Sequence, residues 1–217
     1  MQDRFAIQVQ TLVADLAQPD GLSKAVQKIS VDPSITMLVN NAGVAAMGPV
    51  MQTSPETMTN MVALNITALT ALTMAVLPAF HERNSGTIVN IGSAAGFAPF
   101  ALVPIYGSTK AYVGQFTQSL QQQVKGTGIR IQLITPAPTI SESRYTFRAL
   151  LSSPDPAKYM STEDCVDAAL KGLDRGELIT APSLQDDTLL RNFEDASMKL
   201  MMATLTGQPA TRYGLHD

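Results

Sequence analysis

Three short segments rich in β-branched residues constrain this chain most: Ile35–Val39, Thr87–Ile91 and Ile129–Thr135. Ile35–Val39 is a continuous apolar run, the mark of a parallel sheet covered on both faces, Thr87–Ile91 is another buried-type strand, and Ile129–Thr135 is the next strand. Helix signals lie between them. Asp20 caps a helix running to about Ser30, and Ser54-Pro55-Glu56 starts another that continues to about Phe80 with room for a break. A further helix runs from about Tyr106 to Val124 and stops at Gly126-Thr127-Gly128. Thr162 caps a helix to Arg175, with Glu163 and Asp164 in its first turn. Gln8–Ala14 and Glu177–Ala181 read as two more strands. Leu189, Leu190, Phe193, Leu200 and Met201 mark a last helix. This alternation predicts an α/β fold with a parallel sheet and right-handed crossovers. We expect one domain over 1–205 and a loose tail over 206–217.

Composition removes several functions. The net charge is −3 and the pI about 5.3, which gives no electrostatic case for nucleic acid or an anionic membrane. Cys165 stands alone, so no intrachain disulfide forms. With His81 and His216 the only histidines, no metal site is expected. No apolar stretch reaches the ~18 residues of a membrane span, Thr67–Phe80 coming nearest. The N-terminus lacks a signal-peptide pattern, and the expected location is cytoplasmic.

In parallel α/β sheets ligands bind beyond the carboxyl ends of the strands. Ser93 follows the strand ending at Ile91. Tyr106 and Lys110 lie four apart on the next helix, hence one turn apart on one face. A nearby ammonium favours the phenolate, so Lys110 is expected to lower the Tyr106 pKa toward neutrality. The Ser93 hydroxyl can hydrogen-bond a carbonyl oxygen as it gains negative charge. Taken alone, Tyr-x-x-x-Lys also describes an ordinary helix-surface pair. A serine hydrolase fits poorly, because Gly92-Ser93-Ala94-Ala95-Gly96 is no nucleophile elbow and neither histidine is placed as a base.

Four motifs in order, Leu38-Val39-Asn40-Asn41-Ala42-Gly43, Asn65 within a helix, Asn90-Ile91-Gly92-Ser93, and Tyr106-Gly107-Ser108-Thr109-Lys110, resemble the short-chain dehydrogenase/reductase family. The resemblance extends from Gln8 to about Pro182. It implies a Rossmann-like three-layer fold and a nicotinamide-dependent oxidoreductase acting on a ketone or secondary alcohol, with NADP or NAD as cofactor. Tyr106 is then the acid or base, Lys110 lowers its pKa and holds the nicotinamide ribose, Ser93 orients the substrate oxygen, and Asn65 holds a relay water. Asp15 and Leu16 border the adenine, Asn40, Asn41, Ala42 and Gly43 line the adenosine ribose, and Ser141 contacts the nicotinamide end. Relatives pair two helices across a two-fold axis. The helices around Pro55–Phe80 and Tyr106–Val124 would make that interface in a homodimer or homotetramer. The substrate is expected to be a mostly apolar small carbonyl compound. Phe97, Phe100 and Leu102 would form one wall, and Tyr145, Phe147, Leu150 and Leu151 a lid.

Two departures shape the expectations. The family's glycine-rich phosphate loop precedes the residue matching Asp15, yet only fourteen residues do so here. An N-terminally truncated fold without its first two strands is therefore expected, as part of a longer polypeptide. NAD cannot then be told from NADP. Without a phosphate-binding helix terminus, cofactor binding should be weaker than about millimolar. Gln8–Ala14 would have lost its neighbours and Ile35–Val39 would become an open edge. Ala137 stands where the family usually has glycine. The alternative is a relative that keeps the catalytic residues, binds no dinucleotide and serves as an interaction or structural subunit.

Overall fold

The computed structural model describes residues 7–140 and 159–215. Its central sheet is parallel, with strands β1 (Met37–Asn40), β2 (Gly86–Ile91), β3 (Ile129–Ile134) and β6 (Ile179–Thr180) side by side in that order. Leu38 aligns with Ile88, and Ile88 with Ile131, so the apolar runs stack across the sheet. Two further short strands, β4 (Thr139–Ile140) and β5 (Met160–Ser161), pair with each other in parallel.

Side chains alternate between the faces of β2. Ile88 points to one face, where Val76, Phe80, Leu120, Ile129 and Ile131 form the larger core. Its neighbour Val89 points to the other, where it meets Ile134 and Leu173. The first face is covered by helices α1 (Pro19–Ser30), α3 (Leu69–Glu82) and α4 (Pro104–Gln123), the second by α5 (Thr162–Asp174). Helix, sheet and helix give the three-layer Rossmann-like arrangement. Arg83 buckles the entry to the sheet. Its guanidinium donates to the carbonyls of Ser85, Pro33 and Ile35 and stacks 4.6 Å from the Phe80 ring centre.

Contacts divide the chain into Met1–Ser183 and Leu184–Asp217, a boundary inside the range read as one domain. The second unit holds helix α6 (Thr188–Thr204) and a short 3-10 turn, Thr211–Tyr213.

Several expectations need correction. Gln8–Ala14 forms no strand: its described residues are irregular and mostly exposed, because no neighbouring strand offers a hydrogen-bond ladder. Helix α1 starts at Pro19 with Gln18 as its cap, and Asp20 sits in the first turn. Helix α5 is capped by Ser161, whose hydroxyl accepts from the Asp164 N–H at 2.9 Å, instead of by Thr162. The helix after Ser54 does not break. Helix α2 (Pro55–Val62) runs through a π-helical segment, Ala63–Ala68, into α3. The result spans Pro55–Glu82, 28 residues at a mean hydropathy of 1.8, so by length and composition it could cross a membrane, contrary to the sequence reading. In this fold its inward face carries buried Asn65 and Thr73, hydrogen-bonded to other elements.

Candidate active site

The site forms at the carboxyl end of β2. Ser93 caps a short 3-10 turn, Ala94–Gly96, and its hydroxyl accepts from the Ala95 N–H at 3.1 Å. That turn lies against the first turns of α4. A Cβ on Gly96 would stand 2.8 Å from the Lys110 carbonyl carbon, and one on Gly107 would stand 3.0 Å from the Ala95 carbonyl oxygen. Only glycine permits this approach. It brings Ser93 to Tyr106, and the two side chains are hydrogen-bonded.

Tyr106 and Lys110 share one face of α4, with Lys110 Nζ 5.8 Å from the tyrosine ring centre. Lys110 Nζ donates to the Ile91 carbonyl at 2.8 Å, so the end of β2 holds it in place. Burial dominates both ionisations. It raises the Tyr106 pKa, with the Ser93 hydrogen bond pulling the other way, and it lowers Lys110 to about 8. The expected depression of the tyrosine pKa by Lys110 is therefore not found. Burial penalises the phenolate and weakens the positive charge meant to stabilise it.

Asn65, within the π segment, is 1% exposed. Its Nδ2 donates to the Val44 carbonyl at 2.9 Å and to Thr109 Oγ1 at 3.0 Å, while its Oδ1 accepts from the Val44 N–H at 2.9 Å. Both side-chain donors are thus engaged, and the amide braces the loop after β1 against α4. A Cβ on Gly43 would stand 3.2 Å from Asn65 Oδ1 and 3.6 Å from Lys110 Nζ, so the loop backbone packs directly on the site. Asn40 is buried and points inward. It donates to Thr73 Oγ1 and to Asn90 Oδ1, and Asn90 donates to Thr117 Oγ1 at 3.0 Å. This polar ladder pins α3 and α4 to the sheet directly below the site.

The remaining predicted residues are more dispersed. Asn41, Ala42 and Gly43 are exposed on the loop, and Asp15 is exposed beside half-buried Leu16. The Asp15 carboxylate accepts from the Ala17 N–H in a turn of its own. Ser141 lies outside the described residues, as do Tyr145, Phe147, Leu150 and Leu151. Sequence reasoning missed Thr109, the Val44 backbone and the Ile91 carbonyl. Thr109 carried a signal, since it adjoins Lys110 and is three residues from Tyr106.

A sequence profile of the short chain dehydrogenase family matches residues 2–149. The chain belongs to that family. It is 32% identical over 167 residues to very-long-chain 3-oxoacyl-CoA reductase-A of Danio rerio, covering 75% of this chain and 52% of the relative. It is 45% identical over 104 residues to NADP-dependent 3-hydroxy acid dehydrogenase YdfG of Escherichia coli, covering 48% and 42%. The chain thus spans about half the length of these curated relatives. Among solved structures, a short-chain dehydrogenase from Sphingobium yanoikuyae in complex with NADPH superposes with a TM-score of 0.91 at 37% identity, over 98% of this chain and 82% of that one. The bulky-bulky ketone specific alcohol dehydrogenase from Comamonas testosteroni does so at 0.88 and 34%, over 98% and 80%.

A nicotinamide ribose fits the described residues. Lys110 offers a held ammonium, Tyr106 a phenol, and Gly43 a backbone whose missing Cβ leaves the approach open. No strand precedes α1 among the described residues, so they contain no strand–turn–helix cradle for the pyrophosphate.

Proposed function

We propose that this site reduces a ketone, or oxidises the matching secondary alcohol, with NADP(H). The observation that carries the reading is the convergence of Ser93, Tyr106 and Lys110 at the end of one strand in a member of this family. The nicotinamide, when bound, supplies or accepts hydride at the substrate carbon. The Ser93 hydroxyl orients the carbonyl oxygen. The Tyr106 phenol, kept protonated by burial, gives its proton to that oxygen as negative charge develops there. Lys110 stands beside the resulting tyrosinate and favours its formation while charged. In the oxidation direction each proton transfer runs backwards. Lys110, Asn41, Ala42 and Gly43 would face the cofactor, with Asp15 and Leu16 at the adenine, while Asn40, turned inward, supports the loop from below.

The substrate we propose is an apolar carbonyl compound. Gly48 N–H donates to the Leu102 carbonyl at 2.9 Å and so ties two loops together beside the site. Those loops expose Val50, Met51, Phe100 and Leu102. Assembly as a homodimer or homotetramer through α2–α3 and α4 agrees with exposed Met58, Met74 and Tyr112 on these helices. The second reading is a relative that keeps the catalytic residues, binds no dinucleotide and serves as an interaction or structural subunit. Separate titrations with NADPH and NADH discriminate the two. Binding of NADPH supports the enzyme, and no binding of either supports the second reading.

A further inference from the structure

We propose that Thr109 is a positioning residue of the proton-transfer site, its hydroxyl fixing Asn65 and, through Asn65, the Gly43–Val44 turn against Lys110. Thr109 is 1% exposed. Its Oγ1 donates to the Tyr106 carbonyl at 2.8 Å and accepts from Asn65 Nδ2 at 3.0 Å. One hydroxyl therefore joins the backbone of the proton donor to the π segment. Asn65 then grips Val44 through both its N–H and its carbonyl, at 2.9 Å each. Gly43 sits between that grip and the Lys110 ammonium. The chain of contacts links Tyr106, Lys110 and the loop after β1 through Thr109 and Asn65. An exposed companion bond joins Thr70 and Tyr112 further along the same helices. It can hold the helices together but reaches neither Asn65 nor Val44.

The chemistry of a hydroxyl is required here, beyond the volume of the side chain. Valine fills the same space but cannot accept, so it would leave an Asn65 N–H buried and unpaired. Asn65 would then turn to find another partner and release Val44. Serine keeps both bonds and gives up only a methyl group.

The test compares T109V and T109S with the wild-type 217-residue chain by two readouts. The first needs no turnover: it is solvent exchange of the Asn65 side-chain amide protons, followed by NMR. The second is kcat and KM for ketone reduction, and only this arm rests on the oxidoreductase reading. T109V should exchange the Asn65 protons faster. It should also lower kcat by about tenfold or more while leaving the ketone KM near the wild-type value, since small misplacement of reacting groups costs this much or more. T109S should return both readouts to wild type. Should T109V fail to fold, T109S decides alone, because a serine variant with lost protection or lost kcat overturns the hydroxyl role. The role is equally overturned by a folded T109V with unchanged Asn65 exchange, or by one with a lower melting temperature and unaltered kcat. A protein that carries these residues, binds NADPH and yet reduces no ketone, with faster Asn65 exchange in T109V, sinks the oxidoreductase reading and leaves the positioning role standing.

Discussion

Replacing Lys110 by methionine should make the protein more stable while removing its activity. Lys110 is 7% exposed, and burial lowers its pKa from the usual 10.5 to about 8. That difference corresponds to roughly 3 kcal/mol spent on keeping the ammonium in the fold at neutral pH. Methionine has a similar shape and carries no charge. It also gives up the charge-assisted bond from Nζ to the Ile91 carbonyl, which costs about 2 kcal/mol. The net expectation is a gain of about 1 kcal/mol at pH 7. The pH dependence sharpens the test. The unfolded chain holds this proton up to about 10.5 and the folded chain releases it near 8, so between these values the unfolded state binds more protons. Wild-type stability should therefore rise with pH across this window, with the whole penalty present below about 8. Lys110→Met should lack this rise, and its advantage should fade toward pH 10.5. Urea denaturation at pH 7 and at several points above 8 measures both effects. A variant no more stable than wild type at pH 7, or a gap that ignores pH, would refute the reasoning.

Other predictions follow from neighbouring groups. Ketone reduction should slow as pH rises through about 8, because Lys110 loses the charge that favours the tyrosinate; a flat kcat profile from pH 6 to 10 counts against this. Arg83→Ala removes three bonds to carbonyls at the sheet entry and should cost about 2 kcal/mol by denaturant titration, whereas a change under about 0.5 would leave the buckle without weight. Among the described residues β1 lies at the sheet edge with Met37 and Val39 exposed, so in this 217-residue chain Val39→Lys should reduce aggregation on warming, measured by light scattering, without lowering the melting temperature.

Much of this architecture is legible in the sequence for one reason. Ile35–Val39 and Thr87–Ile91 are short, mostly apolar and β-branched, as strands of a covered parallel sheet are, and Ile129–Thr135 follows with the same β-branched bias. The candidate site follows from where those runs end. Ser93, Tyr106 and Lys110 meet because a loop of small residues lets α4 start against the end of β2. What stays hidden depends on partners outside the local pattern. Gln8–Ala14 has strand chemistry but no neighbour to pair with among the described residues. The π segment at Ala63–Ala68 carries no pattern in six residues that separates it from an α-helix. Ser161 and Thr162 are both good caps, and backbone geometry decides between them. The spacing to Lys110 speaks for a lowered Tyr106 pKa, whereas burial, which spacing cannot measure, decides its direction.

The central claim is that Tyr106 donates the proton in an NADP(H)-dependent reduction. Its most direct test is NADPH oxidation with an apolar ketone in the protein that carries these 217 residues, wild type beside Tyr106→Phe. Removing the phenolic proton while keeping the ring should lower kcat by about 10²-fold or more, with NADPH affinity unchanged. A phenylalanine variant that keeps more than about a tenth of the wild-type kcat would contradict the account, since acid catalysis is worth more than that.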